Sequence, residues 1–164
     1  METTRHYTGT VYVVNDGATA LHDHRKLGIR IPPGGHVDRD ELPHEAALRE
    51  CREETGLEAT IITRDDPGAT TGGGRPLPQP RAQMLYDIDV VAGRIAHQHV
   101  DHVYFATAPS REIDPADGEA GADVWNWYSE TDLRESDVGE DVQRFGIEAI
   151  REAERFDESD RGDA

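Results

Sequence analysis

An α/β domain is what this sequence predicts, and three observations predict it. Runs of alternating apolar and polar residues, rich in Val, Ile, Thr and Tyr, recur between clusters of Gly, Pro, Asn and Asp, as strands between turns do. Residues 43–55 favour helix: Pro43 can occupy the first helical position, and Gly56 stands where a helix end wants a left-handed residue. Near the C-terminus Val142, Phe145, Ala149, Ile150 and Ala153 form an apolar stripe at helical spacing. A chain of 164 residues suits one domain, expected over 1–156, with 157–164 (DESDRGDA) as a disordered acidic tail.

In chain order, 7–14 (YTGTVYVV) predicts a strand, and Asn15-Asp16-Gly17 is a strong hairpin signal that makes 18–24 its partner. A short strand over 27–31 leads to a tight glycine turn at Gly34-Gly35. After the 43–55 helix comes a strand over 58–63. Residues 65–80 (DDPGATTGGGRPLPQP) form a long loop, read equally as a lid over substrate or as an insertion. Strands over 82–91 and 99–107 flank an Ala92-Gly93 turn, and a second Gly/Pro/Asp loop spans 109–121. A short aromatic strand over 124–128, a turn from Thr131 and a helix from 137 or 139 to about Phe156 complete the chain.

Composition narrows the setting. There is no apolar run near the length of a membrane span, and METTRHY lacks a signal-peptide pattern. The lone cysteine excludes an internal disulfide, and Cys51 reads as a small core residue rather than a nucleophile. Asp plus Glu number 34 against 17 basic residues, of which Lys26 alone is lysine, for a net charge of −17. Such self-repulsion opposes compaction unless salt screens it. The balance is of the haloarchaeal kind and points to a cytoplasmic protein. It offers no basic stripe, which makes nucleic acid a poor partner.

Residues 35–57, GHVDRDELPHEAALRECREETGL, carry the chemistry. At ~100° per residue, Leu48, Cys51 and Thr55 lie on one side of the 43–55 helix. Glu50, Glu53 and Glu54 gather on the adjacent arc, with Arg49 at its edge. The bland reading is a solvated acidic face. The sharper one is a site where a hard divalent cation relieves the repulsion and meets substrate phosphates.

Written as a pattern, the stretch is G-x5-E-x7-R-E-U-x-E-E-x-G-U with U apolar: Gly35, Glu41, Arg49, Glu50, Cys51, Glu53, Glu54, Gly56 and Leu57. Every defined position of the Nudix box is filled, and the chain resembles the Nudix (MutT-like) hydrolases. The resemblance implies an α/β/α sandwich with a mixed sheet between helices. It also implies hydrolysis of a small-molecule substrate, a nucleoside diphosphate linked to another moiety, with Mg2+ as cofactor and Mn2+ as a substitute. Glu50, Glu53 and Glu54 would bind the metal, and one of them would double as general base. Arg49 would hold the cluster, Gly34 or Gly35 would offer a carbonyl, and Glu41 would support the junction of loop and helix. Gly72 and Gly73 stand where the ADP-ribose pyrophosphatase subgroup carries a proline, and Gly74 and Arg75 where the diadenosine-polyphosphate subgroup carries a tyrosine. The resemblance therefore leaves the nucleotide unchosen and a homodimer open. The alternative is a catalytically silent Nudix-fold nucleotide sensor, although no box carboxylate is lost.

Outside the box, His97, His99 and Asp101 alternate and share a strand face if that strand starts early. A zinc site and a role for His99 or Asp101 towards the attacking water are both read there, beside an ordinary polar sheet face. Trp125 and Trp127 also share a face, which suits core packing or, for Trp127, stacking on a base. Arg75 and Arg81 flank the glycine-rich loop, as phosphate contacts or as surface arginines.

Overall fold

The computed structural model describes residues 2–24, 28–63 and 72–162, with side chains to Glu158. Its strands are β1 (Thr4–Asn15), β2 (Ala18–His24), β3 (Ile29–Ile31), β4 (Gly34–His36), β5 (Thr60–Ile61), β6 (Ala82–Val91), β7 (Arg94–Thr107) and β8 (Trp125–Ser129). The helices are α1 (Pro43–Thr55), α2 (Glu130–Glu135) and α3 (Glu140–Gly162). All eight strands join one sheet with the spine β3-β2-β1-β7-β5; β4 also pairs with β1, β6 with β7 and β8 with β2. β1 and β7 run parallel from Thr4↔His97 to Val14↔Thr107, and the other pairs are antiparallel, so the sheet is mixed.

Alternation along β1 and β7 sorts the core into two layers. Val11, Val13, Tyr104 and Ala106 face α1, where they pack with Ala47, Cys51 and Leu57. Tyr12, Val14, Val103 and Phe105 face the other way and pack with Leu133 of α2 and Val142, Phe145 and Ile150 of α3. Helices thus cover both faces of the sheet, as expected of an α/β/α sandwich. Cys51 is fully buried, and burial pushes its thiol up to about 11, in keeping with a core residue.

Most elements fall where turn chemistry puts them. Asp16 and Gly17 take positive φ (44° and 72°) between paired Asn15 and Ala18, and Ala92-Gly93 does the same between β6 and β7. α1 spans 43–55 as expected: Glu45 accepts from the Leu42 N–H at 2.9 Å at its start, and left-handed Gly56 donates to the Arg52 carbonyl at its end.

Other elements differ, and of the strand expected over 58–63 only Thr60–Ile61 form one, since only they pair with Thr107 and Ala106 of β7. The Gly34-Gly35 turn continues as β4, because Thr8–Thr10 of β1 offer it an open edge. β7 begins at Arg94, five residues before the expected strand, because the tight hairpin carries the β6 ladder back to it. The turn at Thr131 is helix α2, closed by a reciprocal pair in which Ser129 Oγ accepts from the Asp132 N–H and the Asp132 carboxylate from the Ser129 N–H. α3 continues to Gly162, so the backbone of 157–162 is helical where a disordered tail was expected. Much of the 65–80 loop falls on residues 64–71, outside the described residues; 72–80 contain no helix and a single isolated bridge residue, Gly74. No helix among the described residues is long and apolar enough to cross a membrane.

Candidate active site on the first helix

The site is built where α1 lies across β1 and β4. Arg49 is its hub. Its Nε and Nη2 donate to the two Glu41 oxygens at 2.9 and 3.0 Å, a two-point grip. Its Nη1 donates to Glu50 at 2.8 Å and to Glu53 at 3.0 Å, and Nη2 also reaches the His36 carbonyl at 3.0 Å. The guanidinium holds Glu41 below the ordinary carboxylate range, and its own proton is held correspondingly tighter. One cation thus ties the loop before the helix, two helical carboxylates and the end of β4 into one unit.

Glu54 lies one step round the helix and has no arginine on it among the described residues. Its Oε2 accepts from the Gly34 N–H at 3.0 Å. Burial pushes its pKa up to about 7; the Gly34 bond pulls it down, and Glu50, Glu119 and Glu53 raise it further. Crowding of like charges leads to the expectation of a raised carboxylate in this cluster, and one is found. The larger cause, however, is desolvation, with the neighbouring carboxylates second to it.

Gly35 makes room for this arrangement. A Cβ there would sit 3.0 Å from Glu50 Cγ and closer still to its carboxyl, so Glu50 can lie against β4 only because residue 35 lacks a side chain. The donors gathered here are carboxylate oxygens. With Glu54 half-buried and no counter-charge on it among the described residues, they fit a hard divalent cation of the Mg2+ or Mn2+ type.

The other sequence candidates are not drawn to this cluster. Asp101 is 5% exposed, and its Oδ1 accepts from Thr8 at 2.8 Å and Thr10 at 2.9 Å. Its strand parity matches Val103 and Phe105, which places it on the α3 face, across the sheet from the box glutamates. His99 shares that parity and that face. Neither is positioned to assist water at the box, since alternation along β7 separates them from α1. Arg81 pairs with Glu148 of α3 at 2.9 Å, and Arg75 is exposed in the loop. Trp127 packs on the α1-side core, donates from Nε1 to the Arg111 carbonyl at 3.1 Å and lies under the Arg111 guanidinium. Trp125 is buried and stacks on His22, as core packing anticipates. The sequence reading missed His36, whose carbonyl binds Arg49. The only sequence signal for it is its place next to Gly35.

Comparison with known proteins agrees with this geometry. Residues 5–145 match the NUDIX domain family. A crystal structure of a NUDIX-family hydrolase from Clostridium perfringens is 30% identical, with 90% of this chain and 97% of that one aligned and a TM-score of 0.73. A Caenorhabditis elegans Ap4A hydrolase complex shares the fold at 17% identity, covering 92% and 96% of the two chains with a TM-score of 0.57. The mouse bis(5'-nucleosyl)-tetraphosphatase (asymmetrical) is 62% identical over 32 residues, which is 20% of this chain and 22% of the mouse protein. With the family match running across most of the chain and the box carboxylates assembled around Arg49, this protein belongs to the Nudix family of hydrolases.

Proposed function

We propose that the chain hydrolyses the pyrophosphate linkage of a nucleoside diphosphate joined to another moiety, with Mg2+ as cofactor and Mn2+ able to replace it. The observation that carries this reading is the carboxylate cluster: Glu54, half-buried and pushed up to about 7, lies beside Glu50 and Glu53 with no arginine on it among the described residues. Glu50, Glu53 and Glu54, with a Gly34 or Gly35 carbonyl, would hold the ion. When bound, it supplies charge neutralisation for the phosphates and lowers the pKa of the attacking water. Arg49 keeps Glu50 and Glu53 on one side of α1, and Glu41 fixes the guanidinium that does so. The Gly34 N–H orients Glu54 through one oxygen and leaves the other for the ion. One of the three carboxylates takes the proton that the attacking water gives up.

The resemblance to an asymmetrical bis(5'-nucleosyl)-tetraphosphatase makes dinucleoside polyphosphates the first substrates to try, beside nucleotide sugars, ADP-ribose and nucleoside triphosphates. The acidic composition supports a saline cytoplasm as the working environment, so the assay belongs in molar KCl. Product identification over that panel with Mg2+ tests the reading, with Glu53→Gln and Glu54→Gln as controls. Each variant is expected to lose at least about a hundredfold in turnover, the scale of removing a fixed charge that stabilises a transition state. No hydrolysis of any of these substrates, or wild-type turnover in both variants, would leave the silent nucleotide sensor as the better account.

A further inference from the structure

Four imidazoles meet on the sheet face opposite α1. His6 of β1, His97 and His99 of β7 and His36 of β4 each offer a ring nitrogen, and the four nitrogens lie within 4.8 Å of one another. The register explains the meeting. His6 pairs with His99 across the parallel β1–β7 ladder, and His36 pairs with Thr8 across β1–β4. His6, Thr8, His97 and His99 share the strand parity of Tyr12 and Val103, which face α3. These rings therefore belong to a different site from the box glutamates.

We propose that His6, His36, His97 and His99 form a second metal centre, a four-nitrogen site for Zn2+ or a similar borderline transition ion. Imidazole suits such ions, whereas the oxygen set on α1 suits Mg2+ or Mn2+, so the two faces select different metals. Two details support it. His36 Nε2 and His99 Nε2 are 3.2 Å apart, close to the ~3.3 Å edge of a tetrahedron with metal–nitrogen bonds of about 2.0–2.1 Å. The Thr4 hydroxyl lies 3.2 Å from the Ala96 carbonyl and 2.8 Å from His97 Nδ1. That contact engages Nδ1 and leaves Nε2 as the ligating atom, the outer support that metal-bound imidazoles usually have.

The centre would also brace β4, because His36 turns its ring to this face while its carbonyl accepts from Arg49 on the other. It is independent of the hydrolase reading and can fail without it.

The test uses untagged full-length protein, stripped by chelator and titrated with Co2+ and then Zn2+ in high KCl. Expected is one equivalent of Co2+ with the visible absorption of tetrahedral nitrogen ligation, displaced by Zn2+. The pair His97→Gln with His99→Gln should lose the band. The single change His36→Gln, at an exposed ring, should weaken binding at least tenfold with an unchanged circular dichroism spectrum. Zn2+ should raise the melting temperature of the wild type more than that of the His36 variant. Glu53→Gln with Glu54→Gln should keep the band. No saturable band in the wild type, equal binding by the His36 variant, or loss of the band in the glutamate variant would each overturn the proposal.

Discussion

Glu54 couples the site to pH. Burial disfavours its charge and pushes its carboxyl up to about 7 in the folded protein, and in the proposed role it must be ionised to bind a divalent ion. Below that value a proton would compete with the proposed metal; above it the charge would be free. Mg2+ affinity is therefore expected to tighten as pH rises through about 7 and then level off, with protons released on binding below it. Calorimetry in two buffers of different ionisation enthalpy reads that proton count; a count of zero at pH 6 would contradict it. For the metal-free fold the sign is opposite. The raised folded pKa means that the native state holds the proton more tightly than the unfolded chain does. The resulting stabilisation is full below the ordinary glutamate range and lost as pH rises towards 7. Gly35 makes a second prediction at this scale. A Cβ there meets the end of a flexible side chain, so Gly35→Ala should fold with nearly the wild-type melting temperature. Displacing the Glu50 carboxyl should still cost roughly tenfold or more in turnover, as misplaced catalytic groups do. Unchanged turnover would mean that Glu50 need not lie against β4.

Helix α1 reaches its place because β1 carries a glycine under it. A Cβ on Gly9 would lie 2.9 Å from the Ala47 backbone nitrogen and nearer still to the Pro43 carbonyl oxygen. Both are backbone atoms of the helix and cannot swing aside as Glu50 can. Gly9→Ala should therefore lift α1 off the sheet and destabilise the fold by about 1–3 kcal/mol, the usual cost of overpacking. Urea unfolding measures it, and a shift within a few tenths of a kcal/mol would show that the helix has room to spare. The contrast with Gly35 is informative: the same added methyl group should cost stability at one glycine and activity at the other. Sequence pattern gave no warning of Gly9, which reads there as one more residue of an alternating strand.

For the molecule as a whole, charge dominates. A net charge of −17 on 164 residues opposes the compact state, and the arginines meet only part of it. Glu130 is bonded by both Arg134 and Arg151, and Arg30 by Asp23, at exposed positions where each pair contributes little. Repulsion between unpaired carboxylates should grow as the Debye length lengthens from ~3 Å at molar salt to ~10 Å at a tenth of that. The melting temperature is expected to rise steadily with KCl up to the molar range. A melting temperature independent of salt would remove the basis for a saline working environment.

What the sequence determined by itself was local. The α1 boundaries follow from Pro43, Gly56 and a helical period, the first hairpin from Asn15-Asp16-Gly17, and the glutamate arc from spacing alone, because neighbours within a few residues fix all three. The Ser129–Asp132 capping pair was equally local, and its S-x-x-D signal could have revealed α2. The tertiary structure decided what depends on strands distant in the chain. The parallel register of β1 and β7 sends Asp101 away from the glutamates into the grip of Thr8 and Thr10. That register and the edge that β1 offers to β4 bring His6 and His36 to His97 and His99. Alternation foretold that His97 and His99 share a face. Which face, and beside which residues, depended on a pairing that only burial on both sides of the sheet selects.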